Sequence, residues 1–252
     1  MTSSNPQFPT EIKRILIIVI TLFLSTVHAS AQTAQEWRDS LSYLSQLIER
    51  NPKSLELKMR KAEANIALEQ WQYAMDEYSN ILDLYPTHLG AFYFRAFTNV
   101  KLRRYAFARL DYEQVLKYAP EHEGALTGLV RVDLAENKMQ MAYDDVNHLL
   151  ELHGKNPQNY ILRAEVEEAM GKLMLAIDDV STAIEMEGDK IAANQRLGYN
   201  DDFTQYVLLR IDLYKKQMAK LKKKSDKEYK TLIEKDQKLL MSKGLPSQIF
   251  RK

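Results

Sequence analysis

The chain has 252 residues, 45% of them apolar and 27% charged, with a formal net charge of +1. That balance belongs to a folded globular chain, and it excludes general disorder. With no cysteine, a disulfide framework, a thiolate zinc site, a thiol nucleophile and an N-terminal lipid on cysteine are all excluded.

The first 14 residues are polar and end in Lys13-Arg14, and an apolar run of about 13 residues follows from Ile15. Small residues at Ala29 and Ala31 then suit a signal peptidase. A basic start, a short apolar core and an A-x-A site make a secretory signal peptide, and the apolar core is shorter than the roughly 20 residues a membrane-spanning helix needs. Residues 1–31 are therefore expected to be removed near Ala31-Gln32. The product is expected to be exported to the periplasm or cell envelope. It would carry 33 basic and 33 acidic side chains.

Residues 32–52 read as one capping helix, with Trp37, Leu41, Leu44, Leu47 and Ile48 at helical spacing and a stop at Asn51-Pro52. A period of 34 residues then governs the chain. Ala74, Ala108, Ala142 and Ala176 keep that step, as do Pro52, Pro86, Pro120, Gly154 and Gly188. Small or modest residues recur at Ala62, Ala96, Val130 and Ala164, and Tyr78, Tyr112, Val146 and Val180 stand four residues after the alanines. Such a period predicts a stack of helix pairs in which no pair buries its apolar face alone. The pairs are expected at about 54–84, 88–118, 122–152 and 157–186. Small residues let helix axes close, so a larger side chain at Ala74 or Ala108 is expected to overpack.

The 34-residue step, the small residue in the first helix, the Ala-x3-Tyr of the second and the closing proline resemble tetratricopeptide repeats. The resemblance covers about residues 53–188, and residues 89–120 carry its fullest pattern: Phe92, Ala96, Ala108, Tyr112 and Pro120. It implies an all-α fold, a right-handed superhelical solenoid of antiparallel helix pairs, here with a long C-terminal helix. It also implies that first helices line a concave face that receives a partner protein or peptide. The Lys/Asn arrangement with which some members clamp a terminal carboxylate is absent at the matching positions.

Positions spaced i, i+4, i+7 and i+11 share one helix face. On the first helices that face carries Met59, Tyr93, Phe97 and Val100, with Arg131 further on and Arg104, Lys138 and Lys172 along one edge. Met59, Tyr93 and Phe97 are partner anchors by residue type, and equally packing residues of an aromatic run. His88 and His122 fall at equivalent helix starts, His148 and His153 are wrongly spaced for one metal, and all four read as solvated or capping histidines. The pairs Asp144-Asp145 and Asp178-Asp179 read as a solvated outer face. No phosphate loop, catalytic triad order or metal-ligand spacing occurs, so neither enzyme chemistry nor a cofactor is expected.

After Gly188, residues 189–214 read as a degenerate repeat or cap, with Asp201 or Asp202 starting a longer helix. Residues 215–252 read as a basic tail, helical or partly disordered, with Lys215, Lys216, Lys220, Lys222, Lys223 and Lys224. Residues 203–252 carry net +9 and residues 32–202 net −9. The sequence thus predicts a non-catalytic interaction scaffold of the cell envelope. The alternative is a scaffold held at an anionic membrane surface through the lysines. Without aromatics among those lysines, nucleic acid is not an expected partner.

Overall fold

A computed structural model describes residues 33–193, 201–221, 226–243 and 245. The expected signal peptide and Lys222 to Lys224 lie outside those residues. Every regular element among the described residues is a helix. They are α1 (33–50), α2 (Leu55–Ala67), α3 (Trp71–Leu84), α4 (Leu89–Lys101), α5 (Tyr105–Tyr118) and α6 (Glu123–Ala135). There follow α7 (Met139–His153), α8 (Pro157–Ala169), α9 (Leu173–Ala193), α10 (Asp201–Lys220) and α11 (Asp226–Ser242). The chain forms two compact units, one ending at Arg104 and one beginning at Tyr105.

Each helix pair is closed by the same turn. Gln70 N–H donates to Asn65 O and Glu69 N–H to Ile66 O, with Glu69 at φ +54°. This is a Schellman motif, in which a left-handed residue lets the last helical carbonyls find donors. The pattern recurs at Arg103 (φ +57°), Asn137 (φ +60°) and Gly171 (φ +73°), each 34 residues on. The starts of the first helices also repeat, capped by Ser54, His88, His122 and Asn156. The capping role expected of the two histidines is what the structure shows: each Nδ1 accepts the N–H three residues on, at 3.0 and 3.1 Å.

In the first unit, α3 packs against α2 and α4. Its core joins Ala62, Ala74, Tyr78, Ile81 and Ala91. Of α1, Leu44 is buried, whereas Trp37 is exposed and does not belong to a covered stripe. In the second unit, α5 to α9 pack each against the next, and α10 packs against α9 and α11. All four period-marking alanines are fully buried. Gly128 lies where the Tyr112 ring crosses α6, and a Cβ there would overlap that ring.

Charged groups line this interior in register. Arg163 of α8 donates two 2.7 Å hydrogen bonds to Asp179 of α9 and one of 3.0 Å to Asn147 of α7. Arg109 of α5 pairs with the fully buried Asp133 of α6 and with Glu136. The expectation of a solvated outer face thus holds for Asp144 and Asp178 but not for their neighbours. Asp179 points inward to Arg163, and Asp145 is half-buried beside Asp133. At one equivalent position of the four first helices Asn65, Asn99, Asp133 and Glu167 are buried. The last of these has one carboxylate oxygen without a partner. Burial, and then the charge of Asp179, push the Glu167 carboxyl up to about 7.

The C-terminal region differs from its sequence reading. Helix α9 passes through Gly188 without breaking, because α10 packs along it, with Phe203 against the glycine. The boundary expected at 214/215 falls inside α10, and the described part of the expected tail is helical, one of its two readings, with α10 packed on α11. Arg210 of α10 donates two hydrogen bonds (2.8 and 2.7 Å) to Asp236 of α11 and one of 3.1 Å to Ser181 of α9. This is the Arg163 arrangement repeated. Leu213, Tyr214, Tyr229, Leu240 and Leu245 are buried with it.

Two outcomes follow for stability. Glu69→Gly relieves a left-handed non-glycine residue and is expected to raise the denaturation midpoint by roughly 0.5–1 kcal/mol, while Gly171→Ala lowers it by about 1 kcal/mol. The raised Glu167 carboxyl favours the folded state only while protonated, so this contribution is complete below the ordinary carboxylate range and is lost as pH rises through about 7. Glu167→Gln is therefore expected to flatten the stability profile and to exceed the wild type at pH 8 by about 1–3 kcal/mol in denaturant titrations.

Candidate functional site

The expected groove residues separate into three environments. On α4 the run Phe92, Tyr93, Phe94, Phe97 divides by helical position. Phe92 and Phe94 pack against the core of the first unit, and Phe94 stacks on Tyr78 at 5.7 Å. Tyr93 and Phe97, one turn apart, are half-buried. Phe94 supports Tyr93 edge-on at 5.1 Å, and Trp71 of α3 supports Phe97 edge-on at 6.1 Å. Lys101 Nζ lies over both Phe97 and Trp71, at 5.4 and 5.5 Å. Met59 packs on the same core and is half-buried, as is Val100. Together these give a partly open aromatic surface whose rings are fixed from behind. Such a surface loses little side-chain entropy when a partner covers it.

The basic edge is differently placed. Arg104, Lys138 and Lys172 occupy the last position of the Schellman turns, where their N–H groups bond the carbonyls of Asn99, Asp133 and Glu167. Lys138 Nζ pairs with Glu136 at 2.8 Å, and Lys172 Nζ lies 4.1 Å above the Tyr143 ring. These two cations therefore lie at the starts of the second helices, already engaged within the chain.

Arg131 is exposed, 3.7 Å from Glu165, and it borders a polar cleft of about 280 Å³ between α6 and α8. Thr127 and Glu123 share that cleft with Asn156 and Asn159. The two asparagines donate to Glu123 at 2.7 and 2.8 Å. Burial raises the Glu123 carboxyl, but these two hydrogen bonds and the nearby His153 outweigh it and hold the group below the usual carboxylate range. His153 in turn bonds the Glu121 carbonyl at 2.8 Å. Tyr85 does the same one pair of repeats earlier, donating to the Lys53 carbonyl at 2.6 Å. Sequence reading missed Glu123, Asn156 and Asn159, which lie outside the 34-residue small-residue pattern.

Of the expected basic tail, Lys216 pairs with Glu168 and Asp212, and Lys220 donates to the Gly171 carbonyl at 2.9 Å. Lys215 is exposed on α10. Among the described residues, no helix is long and apolar enough to cross a membrane, and no group of acidic or histidine side chains is arranged to hold a metal ion.

The arrangement of paired helices closed by recurring turns is the tetratricopeptide-repeat fold. MamA, from residue 41 to its end, from Desulfovibrio magneticus RS-1 is similar, with a TM-score of 0.57 at 17% identity over 64% of this chain and 95% of that one. A tetratricopeptide repeat protein from Parabacteroides merdae gives a TM-score of 0.55 at 17% identity over 80% of this chain and 78% of the other. At these identities the likeness is one of fold. No family profile and no curated protein matches the sequence.

Glu123→Ala is expected to cost about 1–2 kcal/mol by leaving two amide donors unpaired. Because the Glu123 carboxyl is depressed in the fold, its contribution is present above the ordinary carboxylate range and lost as pH falls through the folded value. The melting-temperature gap between wild type and variant should therefore narrow as pH falls below the ordinary carboxylate range.

Proposed function

We propose that the protein is an exported, non-catalytic scaffold of the cell envelope that holds a segment of a partner protein against its first helices. Supporting the reading is the pair Tyr93 and Phe97, half-buried on α4 and outside the core cluster of the first unit, against which the equally half-buried Phe92 and Phe94 pack. Edge-on support from Phe94 and Trp71 fixes both rings, and rigid aromatic anchors of this kind carry much of the energy of protein interfaces. Met59 extends the apolar area. The partner best suited to it is an apolar or aromatic segment, with an acidic group available to Lys101 at the rim. Export rests on the N-terminal basic, apolar and A-x-A pattern.

Two experiments test this. Tyr93→Ala with Phe97→Ala should weaken partner capture by at least about tenfold, since each anchor of this type is worth roughly 1–2 kcal/mol or more. Helical circular dichroism should stay at the wild-type level. Unchanged capture would remove this surface as the docking site, and loss of helicity would make the pair core residues. Sequencing the N-terminus of protein recovered from the cell envelope should begin at Gln32. A retained Met1 would contradict cleavage.

A further inference from the structure

A triad recurs on the second helices of the second unit, and it gives Lys138 and Lys172, expected on the edge of the first-helix face, a different setting. On α7 it is Lys138, Met141 and Asp144, and on α9 it is Lys172, Leu175 and Asp178. The members are three residues apart and so follow one side of each helix. The apolar member is exposed in both, Met141 at 49% and Leu175 at 46%, and Phe107 occupies the same register position on α5 at 63%. Leu110 and Met174 widen the ridge, at 57% and 46%. Exposed apolar side chains thus recur at one repeat position of α5, α7 and α9, on helices that each pack inward against their neighbours. Exposed apolar surface rimmed by charge marks an interaction site.

The rims have opposite sign. On the turn side stand Lys138 and Lys172, the first in contact with Glu136 and the second over Tyr143. On the other side stand Asp144, which accepts from Gln140 at 2.8 Å, and Asp178, both exposed. A two-fold axis running along such a ridge lays apolar side chains against apolar ones. It also places each copy's lysine edge over the other's aspartate edge. Isologous interfaces require this self-complementarity, and a foreign partner would have to reproduce both rims.

We infer that the ridge of Phe107, Met141 and Leu175 is a self-association surface, and that its occupant is a second copy of this chain. The surface is separate from Tyr93 and Phe97, so either can fail without the other.

Sedimentation velocity on the protein as isolated from cells tests it, with four outcomes defined. A dimer is expected that weakens by about tenfold in Met141→Ser with Leu175→Ser and in Asp144→Lys with Asp178→Lys. Lys138→Glu with Lys172→Glu should weaken it too. Mixing this acidic variant with the Asp→Lys variant should restore a 1:1 dimer, a rescue that damaged folding would not give. A monomer at every concentration, or a dimer indifferent to these substitutions, overturns the inference. So does a monomer that co-sediments with anionic phospholipid vesicles through the same residues, which would make the ridge a membrane surface.

Discussion

Close approach of helix to helix is the constraint on which the structure depends. Within each unit the second helices reach their neighbours because a fully buried alanine, Ala74, Ala142 or Ala176, stands at the contact. Sharing its core on the first helices are Ala62, Val130 and Ala164, themselves buried. Once the axes are that close, little room remains at the crossing, and the larger side chains must interlock around it. Tyr112 fills the space that Gly128 leaves open, and Tyr78 stacks on Phe94. Tyr93 and Phe97 remain half-buried on α4, packed on Phe94 and Trp71.

The same closeness brings polar groups inside. At one equivalent position of the four first helices Asn65, Asn99, Asp133 and Glu167 are buried, and buried carboxylates need partners. Arg163 answers Asp179 with a bidentate pair and reaches Asn147 of the preceding helix. One guanidinium thereby ties three helices. At Glu167, burial and the charge of Asp179 outweigh the pull of Arg163 and Lys172 and push the carboxyl up to about 7, so the fourth helix pair becomes sensitive to pH near neutrality.

The repeat region was legible because its spacing is carried by residues with one possible reason to be small. The caps at His88 and His122 were legible as well, by the same register. What escaped were features set by tertiary contact. Gly188 has the identity of a helix stop, yet α9 continues, because Phe203 packs there and the packing outweighs the roughly 1 kcal/mol a glycine costs a helix. The lysines from 215 onward hid an amphipathic helix, since Leu213, Tyr214 and Gln217 turn inward while Lys215, Lys216 and Lys220 stay outside. Arg210 and Asp236 repeat the roles of Arg163 and Asp179, but 26 residues apart instead of 16, so no fixed period reveals them. Of the candidate site, the aromatic stripe on α4 was readable from helical spacing. Its division into core and open rings was not, because that depends on which side of α4 faces α3. Glu123 and its two asparagines meet only through the loop between α7 and α8.

Photo-crosslinking in living cells, with a photoreactive residue placed at one position at a time, tests the central claim most directly. If the first-helix face holds a partner, Tyr93, Phe97 and Met59 should each give an adduct with one and the same protein, while Asp83, exposed at the end of α3, should give none with it. Adducts absent from all three first-helix positions, or equally abundant from Asp83, would contradict docking on that face.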